Sequence, residues 1–274
     1  MKRSHYNQNR VLWAVETSSG LIRQHNEDYY IARPSLGLWV LCDGLGGHAK
    51  GALASRVCAE AVMKNVMHGK TLEDSVQCAH EAVKKMEAER SNVSGNPGTT
   101  VAALYISGRK WEVAWVGDTR VWLYERSKSR QITRDHTVVR QLLDWGAVTE
   151  EEAKVHPDRH MLSRVVGIGD ERLKVGINSG RWNSRQVFIL GTDGMAYRDE
   201  PEILSEILST FRNPDQVVER LKTASFEKGG SDNFTIAVVG RSFRNGFIAE
   251  AVKKSRELLY IQAKMEEMSL PSAF

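Results

Sequence analysis

The chain has 274 residues, is 41% hydrophobic, and sets 38 Lys and Arg against 34 Asp and Glu for a net charge of +4. That apolar content supports a sizeable core and excludes disorder as the default, while so thin a charge excess gives little ground for nucleic-acid binding. The basic start (Lys2, Arg3, His5, Arg10) is followed by no apolar run of signal-peptide or membrane-spanning length, so a cytoplasmic protein without a membrane partner is expected.

In chain order, apolar, β-branched and aromatic runs predict strands at 11–16 and 37–42, followed by helical patterns at 49–67 and 72–90. Strands then follow at 99–106, 111–116 and 121–124, a helix at 135–145, a strand at 186–191, helices at 201–209 and 214–226, and a last strand at 234–239. Several strands are joined too closely for a helical crossover, which implies antiparallel pairing. Helices arriving in pairs between groups of strands place the chain in the α+β class.

No repeat or Pro/Gly-rich linker divides the chain, so residues 1–241 are expected to form one domain. An irregular insert at about 140–180 reads as a flap, with a capping-box helix start at Thr149-Glu150-Glu151-Glu152 that His156-Pro157 ends. Residues 242–274 keep an approximately helical apolar spacing and read as an amphipathic helical extension. Cys42, Cys58 and Cys78 are odd in number and lack Cys-x-x-Cys spacing, so each is expected to be a small buried apolar residue.

The most informative pattern is Asp beside Gly where an apolar strand stops: Cys42-Asp43-Gly44, Gly117-Asp118-Thr119, Thr192-Asp193-Gly194 and Gly230-Ser231-Asp232, with Asn26-Glu27-Asp28 besides. One Asp-Gly is a turn, but turn chemistry does not require it at the end of strand after strand. Carboxylates gathered there would repel and resist ionisation unless cations lay between them. Oxygen donors without His or Cys suit Mg²⁺ or Mn²⁺, and glycine beside the ligand lets a carbonyl approach the ion. Two such ions about 3.5–4 Å apart activate a water and neutralise phosphate charge. Arg23, five residues before Asp28, offers the paired donors that match phosphoryl oxygens.

Seven segments in order resemble the metal-dependent Ser/Thr protein phosphatase family of type 2C, in its bacterial branch. They are Arg23-Gln24-His25-Asn26-Glu27-Asp28, Asp43-Gly44-Leu45-Gly46-Gly47-His48, Gly98-Thr99-Thr100, Val116-Gly117-Asp118-Thr119-Arg120, Asp135-His136, Gly191-Thr192-Asp193-Gly194 and Gly230-Ser231-Asp232-Asn233-Phe234-Thr235. The resemblance implies a four-layer α-β-β-α sandwich, two antiparallel sheets flanked by helices, with two Mn²⁺ or Mg²⁺ ions in a cleft at one end. Asp43 would then bridge both ions and Gly44 lend its carbonyl to one. Asp193 and Asp232 would hold the other, and Glu27 and Asp28 would reach metal directly or through water. Asp118 would anchor a third, weaker ion, and Arg23 would bind the substrate phosphate.

Leu45 departs from the pattern, standing where animal members have a histidine proposed as general acid, and the bacterial-type His48 is not taken as catalytic. Thr17-Ser18-Ser19-Gly20-Leu21 and Gly37-Leu38-Trp39 also look like phosphatases of type VI secretion clusters, which oppose a Ser/Thr kinase. The expected partners are phosphorylated proteins in such a kinase pathway.

Other readings of the same residues fare worse. Gly44-Leu45-Gly46-Gly47-His48-Ala49 satisfies a dinucleotide-binding pattern, but Asp43 would sit against a pyrophosphate and the βαβ alternation is missing. Gly69-Lys70-Thr71 lacks the first glycine of a phosphate loop, and Pro157 breaks the zinc-like pair His156 and His160. A catalytically silent pseudophosphatase that binds phosphoproteins is the rival of a different class. Its mark would be degraded ligands, whereas Asp43, Asp193, Asp232 and Arg23 are all retained.

Overall fold

The computed structural model describes residues 11–47, 49–88, 97–169 and 172–241. The first segments are β1 (Leu12–Ser18), β2 (Tyr29–Arg33), β3 (Leu38–Cys42), the short β4 (Gly44–Leu45), α1 (Ala49–Met67) and α2 (Leu72–Ala88). Five strands follow: β5 (Gly98–Thr99), β6 (Val101–Ser107), β7 (Lys110–Val116), β8 (Arg120–Glu125) and β9 (Lys128–Gln131). The chain then forms α3 (Val138–Asp144), α4 (Glu150–Val155), β10 (Gly176–Arg181), β11 (Val187–Gly191), α5 (Pro201–Thr210), α6 (Pro214–Glu227) and β12 (Phe234–Gly240).

Two five-stranded antiparallel sheets result, in the orders β1-β12-β11-β8-β9 and β10-β7-β6-β3-β2, with β4 and β5 as a small third pair. Period-two alternation explains the layers. Along β3, Trp39 and Leu41 enter the core between the sheets with Phe188, Leu190, Val113 and Leu123. Leu38, Val40 and Cys42 instead face Ala54, Cys58 and Val62 of α1 and Val76 and Val83 of α2. The other sheet turns Ile189, Ile236 and Val238 onto Leu204 and Leu208 of α5 and Val217 and Leu221 of α6. Both sheets are thus covered on both faces, which is why their strands read as continuous apolar runs. The expected α-β-β-α sandwich is the observed one.

Several helix ends carry their stop and start signals in the sequence. Asn213 caps α6 by accepting from Gln216 N–H, Thr137 caps α3 through Arg140 N–H, and the capping box at Thr149 and Glu152 is formed. The helix predicted at 135–145 therefore begins three residues late, because Asp135 to Thr137 are engaged elsewhere. The flap is also shorter than expected: residues 176–181 are not part of it but form β10, which pairs with β7 from Gly176↔Trp115 to Arg181↔Lys110. Its glycines hide the strand in the sequence and make it fit. A Cβ at Gly176 would overlap the Trp115 ring, and one at Gly180 would lie 2.6 Å from Trp111. Cys42 and Cys58 are buried as expected, but Cys78 is only half-buried, with its Sγ 3.0 Å from Lys70 Nζ. No described helix is long and apolar enough to cross a membrane. The expected helix in 242–274 lies outside the described residues, as does His48.

Candidate active site

The antiparallel registers bring the acidic strand ends together. Tyr29 pairs with Cys42 and Val101 with Val116, so Asp28, Asp43 and Asp118 project at one end of their sheet. In the other sheet Gly191 pairs with Ile236 and with Arg120, and Ser18 with Phe234, which places Asp193 and Asp232 at its corresponding end. Asp28 joins the two. Thr192 and Thr235, both from the opposite sheet, donate their hydroxyls to Asp28 Oδ2 at 2.8 and 2.7 Å.

Asp28 is 7% exposed, and its Oδ1 is buried without a hydrogen-bond partner. Burial raises its carboxyl to about 7; the two threonine bonds oppose the rise, and nearby Asp193 and Asp232 add to it. Burial, followed by the charges of Asp28, Asp193 and Asp118, pushes the Asp43 carboxyl well above the usual carboxylate range, and its side chain reaches Asp193. Asp43 is fixed through its backbone: its N–H donates to Thr100 Oγ1 (3.1 Å), and its carbonyl accepts from Thr100 N–H and Thr99 Oγ1, each at 2.8 Å. Thr100 shares a 2.6 Å hydroxyl contact with Thr119, beside Asp118.

Gly44 pairs with Thr99, and a Cβ on it would overlap the Gly51 carbonyl and lie 2.7 Å from that of Glu27. A Cβ on Gly51 would in turn overlap Glu27 Oε2. Ser55 of α1 donates to the Glu27 carbonyl at 2.6 Å, so the start of α1 is packed directly on the acidic loop. The loop's other side is held by Asn233, which accepts from Glu27 N–H at 2.8 Å and donates to the carbonyls of Ser19 and His25. Arg23 stands exposed at the rim with Nη2 donating to Asp232 Oδ2 at 2.9 Å.

The expected residues are therefore assembled at one end of the sandwich, with Asp118 at the side and paired to Arg198. Asn233, Thr192, Thr235 and Thr100 are site residues that no role was assigned to in the sequence. All four lie inside the motif segments, and Thr192 and Asn233 adjoin Asp193 and Asp232, the signal the sequence offers for them. His156 and His160 form no zinc site: His156 ends α4 and accepts from Asp158 N–H through Nδ1.

Among the described residues no three His, Cys, Asp or Glu side chains are gathered into a ready-made ion cage. The fit to a hard divalent ion lies in the donor chemistry: an orphaned buried carboxylate oxygen on Asp28, mutually opposed carboxyls on Asp43, Asp193 and Asp118, and oxygen donors throughout. The cleft, about 1190 Å³, runs from Asp193 and Asp232 past Asp118 and Arg198 to Lys154 and Arg159 of the flap.

The fold is that of solved bacterial Ser/Thr phosphatases. Residues 10–142 match the family Protein phosphatase 2C. It is similar to the serine/threonine phosphatase stp of Listeria innocua, 28% identical over 82% of this chain and 94% of the relative. Among solved structures it resembles PppA of Pseudomonas aeruginosa, described as a key regulatory component of T6SS, at 27% identity and TM-score 0.73 over 84% of this chain and 97% of that one. It also resembles the catalytic domain of PstP in complex with two manganese ions, at 26% identity and TM-score 0.72 over 84% and 97%.

Proposed function

We propose that the chain hydrolyses phosphoserine and phosphothreonine side chains at a binuclear Mn²⁺ or Mg²⁺ centre held by Asp43, the Gly44 carbonyl, Asp193 and Asp232, with Glu27 and Asp28 reaching it directly or through water. The observation that supports this reading is the meeting of Asp28 and Asp43 from one sheet with Asp193 from the other, close enough for their charges to oppose one another. When bound, the ions supply the activated water and neutralise phosphate charge.

The chain's own residues do the rest. Arg23, at the rim beside Asp232, would bind the substrate phosphate through its paired donors, and Asp232 would be one of the residues holding an ion. Thr99 and Thr100 hold Asp43 in place, and Asn233 keeps the Glu27–Asp28 loop against it. With Leu45 in β4, no imidazole directly follows Asp43-Gly44, so this reading assigns the leaving alcohol's proton to water, with His48 as the less favoured donor. The substrates are phosphoproteins of a cytoplasmic Ser/Thr kinase pathway, and the likeness to PppA supports one tied to a secretion system.

The test is hydrolysis of a chromogenic phosphate ester with and without Mn²⁺, by the wild type and by Asp43→Asn. The expected result is turnover that requires Mn²⁺ and falls in Asp43→Asn by more than the roughly 10–100-fold typical of losing an outer-shell partner. Equal turnover without metal, or in the variant, would refute the reading, and no turnover under any condition would favour the silent pseudophosphatase.

A further inference from the structure

Asp118 is the residue that the family resemblance gives to a third ion, and in this chain a side chain already occupies that role. Arg198 Nη2 donates to the Asp118 carbonyl at 3.0 Å and to Asp118 Oδ2 at 3.3 Å. Both side chains are deeply placed, 13% and 9% exposed. The same guanidinium lies 3.9 Å from Asp135 Oδ2.

The position of Arg198 is built into the backbone. It follows Tyr197, a non-glycine residue in the left-handed region (φ 62), whose ring is covered by Lys228 Nζ at 4.3 Å. The Arg198 carbonyl accepts from Arg120 Nη1 at 2.8 Å. Arg120 grips both oxygens of Asp135 and reaches Asp199 at 2.5 Å. Three carboxylates, Asp118, Asp135 and Asp199, are thus met by two guanidinium groups. Among the described residues no ion pair reaches Asp28, Asp43 or Asp193, and Asp232 is paired only to the exposed Arg23, 56% exposed, whereas the partner of Asp118 is 13% exposed.

We propose that Arg198 takes the place of a third metal ion at Asp118, so that this chain binds two divalent ions where the resemblance implies three. A divalent ion at Asp118 would have to displace a guanidinium bonded to both the carboxylate and the carbonyl, and would then sit beside two fixed positive charges. Arg198 also lines the cleft next to Asp193, so the cation it supplies stays at the site at any metal concentration. The proposal rests on the binuclear reading above.

Equilibrium dialysis of the full chain against millimolar Mn²⁺, with bound metal counted by atomic absorption, tests it without any activity measurement. The wild type and Arg198→Lys should bind two ions, Arg198→Gln three, and the double variant Arg198→Gln/Asp118→Asn two again. A wild-type count of three, or a folded Arg198→Gln that stays at two, overturns the proposal and leaves the binuclear reading standing. A wild-type count below two overturns the binuclear reading and the proposal with it. Should Arg198→Gln fail to fold, the wild-type count decides between two and three by itself.

Discussion

Acidification should loosen the protein through His136, which fastens the return of the flap to the strand end carrying Asp118. The ring is 8% exposed and stacks on Trp115 at 6.0 Å between centroids. Its Nδ1 accepts from Gly117 N–H at 3.3 Å, and its Nε2 lies 3.1 Å from Arg164 Nη1. The backbone adds Gly117 O to His136 N–H and His136 O to Ser163 N–H. Burial, then the Arg164 charge, lowers the imidazole from 6.5 to about 4, with Asp135 opposing.

The folded state therefore resists a proton that the unfolded chain accepts. The contribution is fully present above the unfolded value of 6.5, falls as the pH drops toward about 4, and is constant below that. At about pH 5 the unfolded histidine is roughly 1.5 units below its pKa, which amounts to about 2 kcal/mol less stability than at about pH 7. Urea unfolding at a series of pH values, with a chelator present, should show this loss in the wild type and its absence in His136→Gln. The carboxylate cluster and the other histidines are common to both proteins and cancel in the difference. Parallel stability curves for the two proteins would refute the argument.

Arg23→Ala removes a charge-assisted phosphate contact and should lower kcat/KM for a phosphopeptide about 10–100-fold, read by initial rates; an unchanged value would remove Arg23 from the site. In Gly51→Ala the new Cβ would overlap Glu27 Oε2 and push that side chain from its place. Mn²⁺ affinity should fall about 10–100-fold by isothermal titration. Thermal stability should fall rather than rise, since the same Cβ lies 3.0 Å from the Gly44 carbonyl carbon, which outweighs the better helix propensity of alanine, roughly 1 kcal/mol. Phe188 is fully buried between Trp111 and Trp182, with centroids 5.4 and 5.5 Å away. Phe188→Ala should cost about 3–5 kcal/mol and move the urea midpoint with the slope unchanged.

Which parts of the fold were legible follows from how local their signals are. The helix read at 49–67 is α1, residue for residue, because its apolar spacing lies within the segment and Gly69 follows two residues past its end. β2 gives only a weak signal because it is five residues long, ends before Pro34, and buries only Ile31 fully. β9 was overlooked because its residues, Lys128 to Gln131, are polar and pair only at the sheet edge. β10 was hidden because its glycines serve the Trp111 and Trp115 rings of another strand, a reason that exists only once the two are paired.

The same division runs through the site. The sequence by itself determined the candidate donors: aspartates beside glycines at strand ends, a pattern set by neighbouring residues along the chain and pointing to oxygen ligands for a hard cation. Only the tertiary structure decided which of them meet. Asp28 owes its setting to Thr192 and Thr235, 164 and 207 residues away, and Asp118 meets Arg198 across 80 residues. Such encounters depend on strand register and sheet packing, and a guanidinium that looks like any surface arginine in the sequence becomes, once the sheets are stacked, the counter-ion of a carboxylate in the cleft.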